Sequence, residues 1–264
     1  MLKTFLSLAL LPVLIFISCN NQANNDQPVI QDEETQLKAQ IDKFPDSLLL
    51  KESLIQYYRD NNNYNKAQEV TDAALKKDSL NARLWDIKGT LYFETSDTLN
   101  AIKSFEKAVS FNPEPEYIMT LGSLYAQTKN PLALTMADAL VKNPKTDAQK
   151  QSLFIKGLYY SSSGDNIKAI GYFDTCISID YTFVYAYREK AICLYNMSKY
   201  NDALDVLSKA LAVENTFDEA YYWMGRCNEK LGNKDEAIKN YQAALQIDKN
   251  YIEAKNALTR LGAQ

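Results

Sequence analysis

Asp218–Tyr251 reads DEAYYWMGRCNEKLGNKDEAIKNYQAALQIDKNY, and the chain repeats its pattern every 34 residues. The eighth place, Gly225, recurs as Ala191, Gly157 and Gly89. The twentieth, Ala237, recurs as Ala203, Ala169, Ala101 and Ala67, and the twenty-seventh, Ala244, as Ala210, Cys176, Ala108 and Ala74. Large residues stand four places before the small one (Tyr221, Tyr187, Leu153, Trp85) and three after it (Leu194, Tyr160, Tyr92, Tyr58), where Asn228 departs. Another large set follows at Tyr241, Leu207, Phe173 and Phe105, with Thr71 the exception. Helices approach closely only where side chains are small, and bulky neighbours then fill the space beside them. A fixed period of this kind signals a stacked array.

These residues resemble the tetratricopeptide repeat, a helix–turn–helix unit, over roughly residues 48–251. The resemblance implies an all-α, right-handed α-solenoid of about six repeats, near 48–81, 82–115, 116–149, 150–183, 184–217 and 218–251, with a cap helix at 252–262. In this family the first helices line a concave face through places 2, 5, 9, 12 and 13. Carried over, the candidate partner-binding residues are Phe154 and Leu158 in repeat four, Tyr185, Arg188, Ile192 and Tyr195 in repeat five, and Tyr222 and Arg226 in repeat six. The expected groove has exposed aromatics and two arginines, residue types enriched at binding hot spots. Repeats one and two offer a more polar lining, from Glu52, Gln56, Arg59 and Asp60 to Arg83, Asp86, Thr90, Phe93 and Glu94. The chaperone-binding type of this fold clamps a terminal carboxylate with Lys and Asn in its first unit; Glu52 and Gln56 hold those places and speak against it.

Composition narrows the chemistry. The chain has 264 residues, no histidine and a net charge of −4. The commonest general base and metal ligand is therefore missing, and no basic run exists to meet nucleic-acid phosphates. There is no Gly-rich phosphate loop, and Ser161-Ser162-Ser163-Gly164 reads as a helix end. No enzymatic activity, cofactor or metal is expected.

The beginning of the chain reads as an export signal. Met1-Leu2-Lys3 precedes the apolar run Thr4–Ile17, which falls short of the ~20 residues of a spanning helix. Phe16-Ile17-Ser18-Cys19 resembles a bacterial lipobox, although Phe16 stands where Leu or Val is usual. This implies a signal peptide over 1–18, a lipid on Cys19 and a membrane attachment through it. Asn20–Gln31 is polar and without apolar periodicity, as in a flexible tether. Outer-membrane sorting, facing the periplasm, is the implied destination.

Local expectations follow. Asp32–Phe44 reads as a leading helix with Leu37, Ile41 and Phe44 on one face. Repeat three is irregular: Gly122 comes one place early, the turn Lys129-Asn130-Pro131 is short and the loop around Pro144-Lys145-Thr146 is long, so a change of superhelical pitch is expected. Thr216-Phe217-Asp218-Glu219 has capping-box spacing, and the cap helix turns Ile252, Leu258 and Leu261 inward. Cys176, Cys193 and Cys227 read as packed thiols, too far apart to bridge. Asp46-Ser47-Leu48, Asp78-Ser79-Leu80 and Asp97-Thr98-Leu99 resemble O-glycosylation acceptors of some Bacteroidetes, but turn and cap chemistry is the favoured reading. The layout is similar to pilotin-type and outer-membrane-assembly lipoproteins. It implies a non-enzymatic scaffold that binds other envelope proteins in its concave groove, with capture of a glycan or peptide nutrient as the alternative.

Overall fold

A computed structural model of the chain describes residues 32–142 and 148–263. The signal peptide, Cys19, the tether and the loop around Pro144-Lys145-Thr146 lie outside these residues. The described residues form fourteen α-helices and no strand. After α1 (Glu33–Lys43) come six helix pairs: α2 (Leu48–Asp60) and α3 (Tyr64–Lys77), α4 (Ala82–Glu94) and α5 (Thr98–Phe111), α6 (Pro115–Gln127) and α7 (Leu132–Lys142), α8 (Gln149–Ser162) and α9 (Asn166–Ile179), α10 (Val184–Asn196) and α11 (Tyr200–Val213), α12 (Asp218–Leu231) and α13 (Lys234–Ile247). The helix α14 (Ile252–Leu261) closes the array. No described helix is long and apolar enough to cross a membrane.

One turn joins the helices of every pair. Its middle residue is left-handed: Asn62, Ser96, Lys129, Gly164, Ser198 and Gly232, with φ between 56° and 91°. The next N–H donates back to a carbonyl of the first helix, as Asn63 does to Tyr58 at 2.7 Å and Asn130 to Tyr125 at 2.8 Å, which satisfies an orphan acceptor. The turn at Lys129 is thus built like the other five and is not short. Side-chain caps begin several helices: Ser47 accepts from Leu50 N, Asp97 from Asn100 N and Asp165 from Lys168 N. Ser47 and Asp97 therefore serve as caps within the Asp-Ser/Thr-apolar triplets. The proposed capping box at Thr216 does not form. Helix α12 starts behind Phe217 without a side-chain cap, because that ring is drawn into the core.

Packing follows the small places. Ala67, Ala101, Ala169, Ala203 and Ala237 are fully buried, as are Ala108, Cys176, Ala210 and Ala244. In the regular repeats the eighth and twenty-fourth places meet directly. A Cβ on Gly89 would stand 2.6 Å from the Phe105 ring, one on Gly225 would stand 2.6 Å from the Tyr241 ring, and one on Gly157 would overlap Phe173. Where the eighth place grows, its counterpart shrinks: Ala191 goes with Leu207, and Ile55 with the buried Thr71. Thr71 is therefore no defect. Its hydroxyl donates to the Ala67 carbonyl at 2.8 Å, and Ile55 supplies the missing volume. Asn228 is accommodated similarly, donating to the Met224 carbonyl at 3.1 Å and accepting from Asn233 at 3.2 Å.

Between repeats, each first helix packs on the second helix before it, and Lys88–Asp72, Lys156–Asp138 and Lys190–Asp174 pair there. First helices also approach one another. α6 lies against α8, where Gly122 leaves room for Ile155, and α10 lies against α12, whereas second helices make no comparable contact among the described residues. The first helices therefore occupy the tighter, concave side. At the ends, Leu37 and Ile41 of α1 pack on the first repeat, but Phe44 is 63% exposed. Ala254, Ala257 and Leu258 seat α14, while Ile252 is 66% exposed, contrary to the inward face read for it. Cys176, Cys193 and Cys227 are unpaired and buried. Burial pushes Cys193 to about 11 and the other two to about 12, far from thiolate chemistry at neutral pH.

Gly89→Ala is expected to destabilise the array by about 1–3 kcal/mol through overpacking against Phe105. Adding Phe105→Leu, which copies the Ala191–Leu207 pair, should recover much of that loss. Denaturant unfolding of both single variants and the double variant measures the coupling; simple additivity would refute the direct contact.

Candidate protein-interaction face

The first-helix face is built from contacts that repeat from one unit to the next. Glu52 on α2 accepts from Arg83 on α4 at 3.1 Å. Arg59 donates to Glu94 at 2.9 Å, and Arg188 on α10 to Glu219 on α12. Arg226 donates to the Tyr195 hydroxyl at 3.3 Å, and Arg260 on α14 donates to both oxygens of Glu229 at 2.7 Å. Every partner lies roughly one repeat away in sequence. The face therefore consists of side chains that brace adjacent first helices and open outward from them.

The candidate residues divide by burial. Leu158 and Arg188 are buried. Phe154, Tyr185, Ile192, Tyr195, Tyr222 and Arg226 are half-buried. The aromatics expected to be exposed are thus packed along one side. Phe154 has ring centroids at 5.7 Å from Phe173 and 5.0 Å from Phe183. Tyr222 repeats this arrangement two repeats later, 5.7 Å from Tyr241 and 5.0 Å from Tyr251. Tyr185 lies between Phe183 at 5.8 Å and Phe217 at 5.6 Å. Tyr195 meets Trp223 at 5.5 Å, and Trp223 meets Tyr222 at 5.9 Å. Such edge-to-face and tilted pairs fix ring orientation as well as burying area.

Arg188 occupies the place held by Phe154 and Tyr222 in the flanking repeats. At 4% exposure it is braced by Glu189 and Glu219, with the Tyr185 ring 5.2 Å away. Two carboxylates hold its charge in a dry site, so it orders α10 against α12 and presents little to solvent. Sequence reasoning missed Phe183, Phe217, Tyr251 and Trp223. The first three share the last place of consecutive repeats, and that spacing was the signal available for them.

The N-terminal part of the face is acidic. Asp86 lies 3.5 Å from Arg83, which is shared with Glu52. Burial, reinforced by the nearby Glu116 and Glu52 and opposed by Arg83, pushes Asp86 up to about 6. No group of His, Cys, Asp or Glu suited to a metal occurs among the described residues.

Family models place this architecture. Three models described as tetratricopeptide repeat match residues 53–115, 150–183 and 218–260, together just over half of the chain. The chain is a tetratricopeptide-repeat protein. A tetratricopeptide repeat protein of Parabacteroides merdae superposes with a TM-score of 0.74 at 20% identity, over 87% of this chain and 91% of that one. PilW, a type IV pilus biogenesis factor, superposes at 0.59 with 21% identity, over 79% and 97%. Among curated relatives, the DnaJ homolog subfamily C member 7 homolog of Schizosaccharomyces pombe is 21% identical over 78% of this chain, and stress-induced-phosphoprotein 1 of Caenorhabditis elegans 23% over 73%. The match spans 40% and 58% of those proteins. At these identities the likeness concerns the fold.

Because the folded state binds the Asp86 proton more tightly than the unfolded chain does, stability on this account falls as pH rises through about 6. Asp86→Asn is expected to be more stable than the wild type at pH 8, by on the order of 2 kcal/mol. The gap should narrow between pH 6 and pH 4.5. Thermal unfolding across that range measures it, and a pH-independent gap would show that burial is not the cause.

Proposed function

We propose that the chain is a non-enzymatic scaffold of the bacterial cell envelope that binds a segment of a partner protein along its first-helix face. The observation that carries this reading is the half-buried strip Phe154, Tyr185, Ile192, Tyr195 and Tyr222, which is pre-ordered by ring contacts and flanked by Arg226. Rigid aromatic surface held in place before binding loses little freedom when a partner docks. Leu158 and Arg188 support that surface from below. A lipid on Cys19 and the polar tether Asn20–Gln31 would hold the solenoid close to a membrane, with the periplasmic side of the outer membrane the best match to the leader. The chain's acidic balance fits protein partners and not nucleic acid. Two shallow depressions of about 540 and 460 Å³ lie elsewhere, between α9, α10 and α11 and around α1, α2 and α3. The length of the aromatic strip, from α8 to α12, suits an extended segment better than a small nutrient.

Formaldehyde crosslinking of intact cells, followed by affinity capture, tests the face. Wild type is compared with Ile192→Glu/Tyr222→Ala after circular dichroism has confirmed equal helicity. Arg188 is left alone, since reversing its charge would crowd Glu189 and Glu219 against a third carboxylate. A defined partner lost at least tenfold in the variant is the expected result. Persistence of the partner would remove the face from the reading, and a thermal shift with glycans in place of any protein partner would favour nutrient capture. In the same cells, Cys19→Ser should move the protein from the membrane to the soluble fraction; retention there would rule out the lipid anchor.

A further inference from the structure

We propose that Arg226 is the docking point for an acidic side chain, Asp or Glu, within an internal stretch of the partner. This rests on the reading of the first-helix face as partner-binding and names the chemistry it selects. The chain has five arginines, all on first helices or on α14. Arg59, Arg83, Arg188 and Arg260 each lie against a carboxylate. Arg226 makes no ion pair among the described residues. It is held by rings instead: its guanidinium carbon stands 4.8 Å from the Tyr195 centroid and 4.6 Å from that of Trp223, and one N–H donates to the Tyr195 hydroxyl at 3.3 Å. Ring faces orient the guanidinium plane but take up few of its five N–H donors. The remaining edge matches the two oxygens of a carboxylate in a forked pair.

Three acids near that edge are engaged elsewhere. Glu229 lies three residues along the same helix, a spacing at which an Arg and a Glu readily meet. Both of its oxygens are instead engaged by Arg260 of the closing helix. Glu219 and Glu189 are taken by Arg188. The closing helix α14 thus does more than cap the core, because it withdraws the carboxylate that would otherwise neutralise Arg226. The face continues on both sides of Arg226, toward Tyr185 and Ile192 on α10 and toward α14, so a bound chain has no need to end there. An acidic side chain flanked by apolar residues fits the site, with the neighbours of the acid resting on Tyr195, Trp223 and Tyr222.

The test uses the full chain carrying Trp85→Phe, which leaves Trp223 as the sole tryptophan and a reporter 4.6 Å from the site. Its fluorescence is titrated with acetyl-Leu-Glu-Phe-Glu-Leu-Glu-amide, with the matching Gln peptide, and with that Gln peptide bearing a free C-terminal carboxylate. The Glu peptide is expected to bind about tenfold more tightly than the amidated Gln peptide, as for one charge-assisted pair. The protein is itself acidic, so unspecific attraction would favour the opposite order. Arg226→Gln should erase the preference, so that the Glu and Gln peptides titrate alike. Arg260→Gln should reduce the preference several-fold by releasing Glu229 to Arg226. Equal titrations of the Glu and Gln peptides, binding by neither, or a preference that survives Arg226→Gln overturns the proposal. Tightest binding by the free-carboxylate peptide overturns the internal-segment reading in favour of chain-end capture. If the acidic preference is absent but the crosslinked partner is still lost in Ile192→Glu/Tyr222→Ala, the face stands and only its chemistry was misassigned. Failure of both rejects the face.

Discussion

The array depends on one contact, the approach of the eighth place to the twenty-fourth within the regular repeats. Gly89, Gly157 and Gly225 leave a space that Phe105, Phe173 and Tyr241 fill so closely that a methyl group would overlap the ring. The contact sets the distance between the two helices of a repeat, and hence the spacing at which the next repeat must stack. Residue type matters less than the shared volume. Ala191 with Leu207, and Ile55 with Thr71, exchange a larger eighth place for a smaller twenty-fourth, and all four are buried. A reading of either place alone sees exceptions, whereas the pair shows a conserved sum of volumes.

The same geometry gives the candidate site its form. With glycines, alanines and their partner rings closing the space between the helices, charged and aromatic side chains on the outer side of the first helices meet counterparts one repeat away. In repeats one and two these are ion pairs. In repeats four to six they are mainly rings, ordered by Phe183, Phe217 and Tyr251 at the repeat junctions. The face therefore changes character along its length, from charged and acidic to aromatic. Such a gradient would orient an elongated partner as well as bind it.

Arg188 and Arg226 show how far sequence position under-determines role. They sit three places short of and one past the small residue of adjacent repeats, and by place alone both belong to the groove. Arg188 is enclosed by Glu189, Glu219 and the Tyr185 ring, and Arg226 rests between Tyr195 and Trp223. The difference arises from acids at other places of the repeat, which meet the arginines only once the helices stack. Phe44, Ile252 and Thr216 illustrate the same limit at a smaller scale. Their hydrophobicity or spacing suited a buried face or a cap, but the neighbouring helix lay elsewhere, or Phe217 was the better core residue.

By itself the sequence determined the helical period, the repeat length and the small places where helices touch, because each of these is a local or periodic property that one repeat reports for all. The absence of histidine was likewise legible without a fold. Only the tertiary structure decided which first-helix side chains are buried, which are paired across repeats and which remain available. Those outcomes depend on residues about 31 to 35 positions apart being brought within hydrogen-bond distance. Periodicity alone places such residues on one face without saying which of them will neutralise one another.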